Sequence, residues 1–364
     1  MKSNHFLTLI LALTATALLI LLSLSVYIFH RASSRPRSDA GVETQNPKRE
    51  DVGREPPCSP EDLITFQGGE DLTICDILEA PGEVIGKSSY GTLYRAMLQR
   101  SSSVKLLRFL RPVCAARSDE FGDAVRCLGR VRGPNLVPLL GFYGGPRGEK
   151  LLVHPFYRRG NLADFIRDTN GGSHNWAVIH GISVGLARGL DHLHTGLQRP
   201  MIHGNLKSKN ILLDRNNQPY ISDYGLHILL NLETGQQMLE IAAAEGYKAP
   251  ELIKMRDVSE ETDIYSLGVI FLELITEKNP INDKASPDEE SYLPNYVRRA
   301  VLDHRLSELY HPDILLMDSC GEISAVTEEH ILKFFQLAMA CCSPSPSLRP
   351  NTRQVLRKLE EIGT

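Results

Sequence analysis

The chain is short of several things that would point to a function. Seven cysteines lie among its 364 residues without the paired spacing of a zinc site or a disulfide framework. Cys341-Cys342 follows the apolar run Ile331–Ala340 and reads as buried packing, so reduced thiols in a cytosolic compartment are the simplest account. A formal net charge of −4 leaves no basic excess for nucleic acid. His192 and His194 lie two apart on a helix expected over 176–194 and point to different faces, so they form no metal pair. Long apolar runs are absent with one exception. Phe6–Phe29 carries no charge over 24 residues, about 36 Å as a helix against a hydrocarbon core of about 30 Å. The apolar core of a cleaved signal peptide is shorter, about 7–15 residues, so a retained anchor is expected.

The flanks give that anchor a direction. Arg31, Arg35 and Arg37 follow it, against Lys2 before it, which places the bulk of the chain in the cytosol and residues 1–5 outside. So short an outer segment does not suit recognition of an extracellular ligand. Residues 30–61 are rich in Arg, Pro, Ser, Asp and Glu and read as a disordered juxtamembrane linker, whose basic half is able to touch anionic lipid.

From residue 62 onward, ordered motifs appear. Ile85-Gly86-Lys87-Ser88-Ser89-Tyr90-Gly91 has the form of a glycine-rich hairpin, with Gly86 and Gly91 as outer glycines and Ser88 where a middle one would sit. Val104-Lys105-Leu106-Leu107 follows, then Val153-His154-Pro155-Phe156-Tyr157. His203-Gly204-Asn205-Leu206-Lys207-Ser208-Lys209-Asn210 comes next, then Asp223-Tyr224-Gly225, Gly246-Tyr247-Lys248-Ala249-Pro250-Glu251, Thr262–Val269 and Leu348-Arg349-Pro350. In this order the set resembles the protein-kinase superfamily, and more closely plant receptor-like kinases of the leucine-rich-repeat type with degenerate catalytic domains. The resemblance covers residues 62–362 and leaves no space for an extracellular repeat array.

It implies an α+β, two-lobed fold, with a small β-rich lobe near 64–153 and a helical lobe from about 156 to 362. Apolar periodicity independently supports helices over 178–193, 263–276, 328–342 and 352–362. By resemblance, Gly86, Gly91 and Lys105 would hold ATP phosphates, and Pro155 and Tyr157 would meet adenine beside a gatekeeper His154. Asn210 and Asp223 would bind Mg, the only metal expected. Lys207 would face the transferred phosphate, Asp263 would brace the catalytic loop and Arg349 would pair with Glu251.

The departures concern chemistry. Asn205 stands where the catalytic Asp belongs, and an amide cannot act as a base near pH 7. Ala124 takes the place of the helical Glu that should pair with the phosphate-binding lysine; Glu120, one turn earlier, is the candidate substitute. Gly204 removes the Arg that usually meets an activation-loop phosphate, and Ala244 replaces a Thr. Beyond Gly225 the segment has only Thr234 and Tyr247 as hydroxyls before Ala249. Loss of a positioned base costs on the order of 10²–10⁴ in rate. A membrane-anchored pseudokinase is therefore expected, acting as a scaffold or allosteric partner of active receptor-like kinases or other signalling proteins. A weak Ser/Thr kinase and a decoy for receptor kinases are the rivals.

Overall fold

The computed structural model of the chain describes residues 63–168, 175–253, 258–282, 291–311, 314 and 328–363. The expected anchor over 6–29, its outer residues 1–5 and the linker over 30–61 lie outside the described residues. Among those described, no helix is long and apolar enough to cross a membrane.

The N-terminal part is a six-stranded antiparallel sheet: β1 (Leu63–Thr65), β2 (Gly82–Lys87), β3 (Gly91–Leu98), β4 (Ser103–Leu110), β5 (Gly141–Gly144) and β6 (Lys150–Pro155), in the order β1-β5-β6-β4-β3-β2. A short helix α1 (Ile74–Leu78) opens with the Thr73 side chain accepting from the Asp76 N–H. Helix α2 (Ser118–Arg130) buries Phe121, Val125 and Leu128. Those positions are spaced by four and three, one stripe of an amphipathic helix.

Strand parity decides what each β4 residue faces. Ala96, Leu107 and Val153 join Leu72 and Ile77 in a small cluster on one face. Leu110 packs on the other face with Phe121, Val125 and Leu128. Residues of even number on β4 therefore look toward α2, and odd ones look away.

The C-terminal part is helical: α3 (Leu162–Arg167), α4 (Trp176–Thr195), α5 (Leu232–Ala244), α6 (Glu260–Thr276), α7 (Leu293–Leu302), α8 (Glu328–Cys341) and α9 (Thr352–Gly363), with a β7 (Ile211–Leu213)–β8 (Pro219–Ile221) hairpin. The four helices expected from periodicity are present with ends within three residues of the expectation. In α6 every residue from Thr262 to Thr276 is buried, as expected of a helix apolar on all sides at the centre of a core. Its start is fixed by a Ser259–Thr262 capping box. Both parts together form the two-lobed arrangement anticipated from the motifs, with residues 203–225 where they meet.

Candidate active site

The segment His203–Asn210 leaves α4 and enters β7, held from below by α6. The Asp263 carboxylate accepts from the backbone N–H of His203 at 2.7 Å and of Gly204 at 2.9 Å, and His194 Nε2 lies 3.0 Å away. His203 is fully buried, and burial lowers its pKa. Its Nε2 sits 3.0 Å from the Ser222 carbonyl, which can only accept, so Nε2 carries the proton. Nδ1 is then free to accept from the Asn205 N–H at 3.2 Å. His203 is thus a structural residue that shapes the loop.

Asn205 stands at the centre of that loop, 4 % exposed, with its Oδ1 buried and without a hydrogen-bond partner. A cavity of about 20 Å³, enough for one water, adjoins it between Gly204, Tyr247, Lys248 and Thr262. By the motif this is the position expected of a general base, and an amide has no basic group to offer. Asn210 is tied into the same loop through its amide nitrogen and backbone carbonyl. Its Nδ2 donates to the Asn205 carbonyl at 2.9 Å, and its own carbonyl accepts from Ser222 N and Oγ at 2.8 and 2.9 Å.

Lys207, expected to face a transferred phosphate, is instead 2.6 Å from Glu245, which also holds Lys209 at 2.9 Å. Burial works to raise the Glu245 pKa, but hydrogen bonds from the two ammonium groups outweigh it and hold the carboxyl below its ordinary range. Glu245 is the C-cap of α5, whose Asn231 caps the other end by accepting from Thr234 N. Met238 and Ala242 of this helix point inward. The activation segment is therefore helical over the catalytic loop, which its motifs do not announce.

At Asp223 the neighbouring cation is not Lys105, the lysine expected to hold ATP phosphates. The cation on its carboxylate is Arg108, at 2.5 Å, with both side chains nearly buried at 7 % and 11 % exposure. Lys105 lies opposite Ala96 on β3 and Pro155 on β6. Lys105 and Arg108 are three positions apart, an odd offset, so the two look to opposite faces of β4. The even parity shared by Leu106, Arg108 and Leu110 is the signal that would have identified Arg108. Burial works to lower the Arg108 pKa, but the Asp223 charge and the Tyr90 oxygen override it and the guanidinium is held above its ordinary value.

No helical carboxylate joins this pair among the described contacts. Ala124 is half-buried against the core, and Glu120 is exposed on α2 and makes no hydrogen bond or ion pair with Arg108 or Lys105. Tyr90 does join it. The ring is 8 % exposed, packed under the glycine-rich hairpin, and its hydroxyl interacts with Ser88 and Arg108. Within the hairpin, Ser88 N donates to the Gly91 carbonyl at 2.9 Å and Gly91 N donates to Ser88 Oγ at 3.1 Å. Gly91 itself is required by proximity, since a Cβ there would sit 2.4 Å from the Phe109 carbonyl oxygen. Gly86 pairs with Leu93 across the β2–β3 ladder.

Beside these groups, His154 is half-buried with Nδ1 3.0 Å from the Pro138 carbonyl. Burial, with Arg108 adding to it, pushes its pKa down to about 4. Pro155 ends β6, and the Tyr157 ring rests on Tyr220 with centroids 4.7 Å apart. Asp223 takes a left-handed backbone, φ 63°, and the Tyr224 hydroxyl donates to the Val137 carbonyl at 2.7 Å. The expected Arg349–Glu251 pair is present and bidentate at 2.6 and 2.8 Å.

Comparison with known proteins agrees with this anatomy. Residues 80–359 match the protein kinase domain. The chain is 37 % identical over 301 residues to the Arabidopsis thaliana kinase-like protein TMKL1, covering 82 % of this chain and 44 % of that protein. It is 40 % identical over 301 residues to the Arabidopsis leucine-rich repeat receptor-like protein kinase IMK3, covering 82 % and 37 %. To RLK902 of the same plant, whose name describes an inactive receptor kinase, it is 34 % identical over 291 residues, covering 79 % and 43 %. The chain thus spans less than half the length of these relatives. Among solved structures, the maize SIRK1 kinase domain bound to AMP-PNP superimposes with a TM-score of 0.72 at 29 % identity, covering 83 % of this chain and all of that one. The pseudokinase domain of BIR2, described as an immune regulator, gives 0.63 at 30 % identity, covering 77 % and 80 %. The chain belongs to the protein kinase family, among relatives that are receptor-like kinases and include several named as inactive.

Proposed function

We propose that this chain is a receptor-like pseudokinase, a membrane-anchored partner of active receptor kinases that contributes a folded surface rather than phosphoryl transfer. The observation that carries the reading is Asn205. It stands where the family pattern has its base, in a loop that keeps His203, Lys207 and Asn210 of that pattern, and its side-chain oxygen is buried and unpartnered. A partnered Lys207, the absence of a carboxylate at Ala124 and the helix α5 over the loop point the same way. The proposal extends to the anchor over 6–29, with Arg31, Arg35 and Arg37 on its cytosolic side. The role needs no nucleotide, and the AMP-PNP of the maize domain belongs to that protein.

Phosphotransfer by the full chain to a generic substrate tests the reading against a variant in which the missing parts are returned, Asn205→Asp with Ala124→Glu. Wild type is expected at background. Mg-dependent transfer by wild type equal to that of the restored variant would sink the proposal in favour of a weak Ser/Thr kinase. Capture of a full-length receptor kinase from a membrane extract, lost on alteration of the C-terminal lobe surface, is the expected positive result for the partner role.

A further inference from the structure

The family implies Mg-ATP in the cleft, and the residues present do not fit it. A divalent cation would need the Asp223 carboxylate, which already carries the Arg108 guanidinium at 2.5 Å. Phosphates would need backbone N–H groups of the glycine-rich hairpin, yet those of Ser88 and Gly91 are spent on each other's oxygens. They would also need the space beneath the hairpin, which holds the buried Tyr90 ring. Asn210, the remaining metal ligand of the family pattern, spends its Nδ2 on the Asn205 carbonyl and has only an uncharged amide oxygen left to offer a metal.

From these contacts we infer that Tyr90, Arg108 and Asp223 form a latch that holds the two lobes together in place of a nucleotide and excludes Mg-ATP from the cleft. The Arg108–Asp223 pair joins a β4 side chain of the N-terminal part to the segment after β8, so parting the lobes must break it. The guanidinium gives Asp223 the positive charge that a metal would otherwise supply. A second seam runs alongside. The stretch between β4 and α2 pairs with the start of the activation segment through Ala116 N to Leu229 O at 3.0 Å, Asn231 N to Cys114 O at 2.9 Å and Asn231 Nδ2 to Val113 O at 2.8 Å. Closure of the lobes is thereby built from protein groups on both sides of Asp223.

The inference goes beyond the proposed function, because a pseudokinase is free either to bind nucleotide or to exclude it. Its test is a titration of the full chain in detergent with a fluorescent ATP analogue, with Mg and with EDTA. Wild type is compared with Arg108→Lys and with Arg108→Lys/Tyr90→Gly. The latch predicts no Mg-dependent binding by wild type at millimolar analogue, and at least a tenfold gain in affinity in the double variant. Saturable Mg-dependent binding by wild type, no tighter in the variants, would overturn it. A folded double variant that still fails to bind would also overturn it, since exclusion would then have another cause. Should the double variant not fold, amide exchange of wild type at 88–91 and 223–225 decides: no change with Mg-ATP supports the latch, and new protection refutes it. Nucleotide binding without phosphotransfer would remove the latch and leave the pseudokinase reading intact, whereas phosphotransfer would remove both.

Discussion

The two walls of the cleft have fared differently. On the C-terminal side the supporting framework is complete: Asp263 under His203 and Gly204, Arg349 on Glu251, and Tyr247 and Ser208 on the buried Glu273. On the N-terminal side the groups that would handle a nucleotide are rebuilt. Arg108 rather than a lysine meets Asp223, Ala124 offers no carboxylate, and Tyr90 fills the space under the hairpin. Asn205, in the middle, has the shape of the catalytic residue without its charge. Groups that satisfy buried backbone and charge are needed for folding whether or not the chain catalyses anything. Groups that face substrate are free to change once catalysis is not required. The contrast separates what the fold needs from what the reaction needs.

Breaking the framework should have the largest effect. Asp263→Ala leaves two buried backbone N–H groups without an acceptor. At about 1–3 kcal/mol each, a loss on the order of 4 kcal/mol is expected in urea unfolding, large enough to leave little folded protein. Arg349→Ala strands Glu251 and removes a side chain with no exposure. Loss of one partner of such a pair costs about 3–5 kcal/mol, and the same unfolding measurement checks it.

Returning a single feature of active kinases should hurt rather than help. Gly204 has φ 75°, and a Cβ there would lie 2.9 Å from His227 Nδ1, itself buried and unpartnered. Gly204→Arg is therefore expected to destabilise by at least about 1–2 kcal/mol and to restore no activity. A gain in stability would mean that this wall is less fixed than its contacts imply.

The smallest effect concerns pH. Burial pushes Glu273 up to about 7, above its unfolded value, despite hydrogen bonds from Tyr247 and Ser208. Between the ordinary carboxylate range and pH 7 the native state then holds the extra proton, so this group's contribution to stability falls as pH rises through that window. His154 works in the opposite direction. With its pKa lowered to about 4, the unfolded chain binds the proton first, and stability falls as pH drops from about 6.5 toward 4. The two partly cancel in wild type. Glu273→Gln should expose the histidine slope, so that stability rises more steeply between pH 4.5 and 6.5 than in wild type; an unchanged profile would remove Glu273 from the account.

Much of this anatomy is legible in the sequence, for a physical reason. The loop over 203–210, Asp263, the Glu251–Arg349 pair and the helices at 176–195 and 260–276 are announced by contiguous motifs or by apolar periodicity. Arg108 is not, because its role depends on strand parity and on a partner 115 positions away. A lysine in an apolar run three residues earlier resembles the familiar pattern more closely. Tyr90 looks like an ordinary hairpin residue until the ring is seen packed inward. Helix α5 leaves a faint trace in Asn231 followed by Leu232, Met238, Ile241 and Ala242. The absence of hydroxyls over 240–245 reads as a lost phosphorylation site, and the helix-forming run goes unnoticed. The Glu245 bridges to Lys207 and Lys209 need the folded chain to appear at all.

The most direct test of the central claim, that this framework supports a site without phosphoryl-transfer chemistry, is a single-turnover measurement with millimolar Mg-ATP. The full chain and its Asp223→Asn variant would be followed for transfer of the γ-phosphate to protein or peptide. The account predicts that the two are indistinguishable from a protein-free blank. Transfer by wild type that disappears in Asp223→Asn would contradict it.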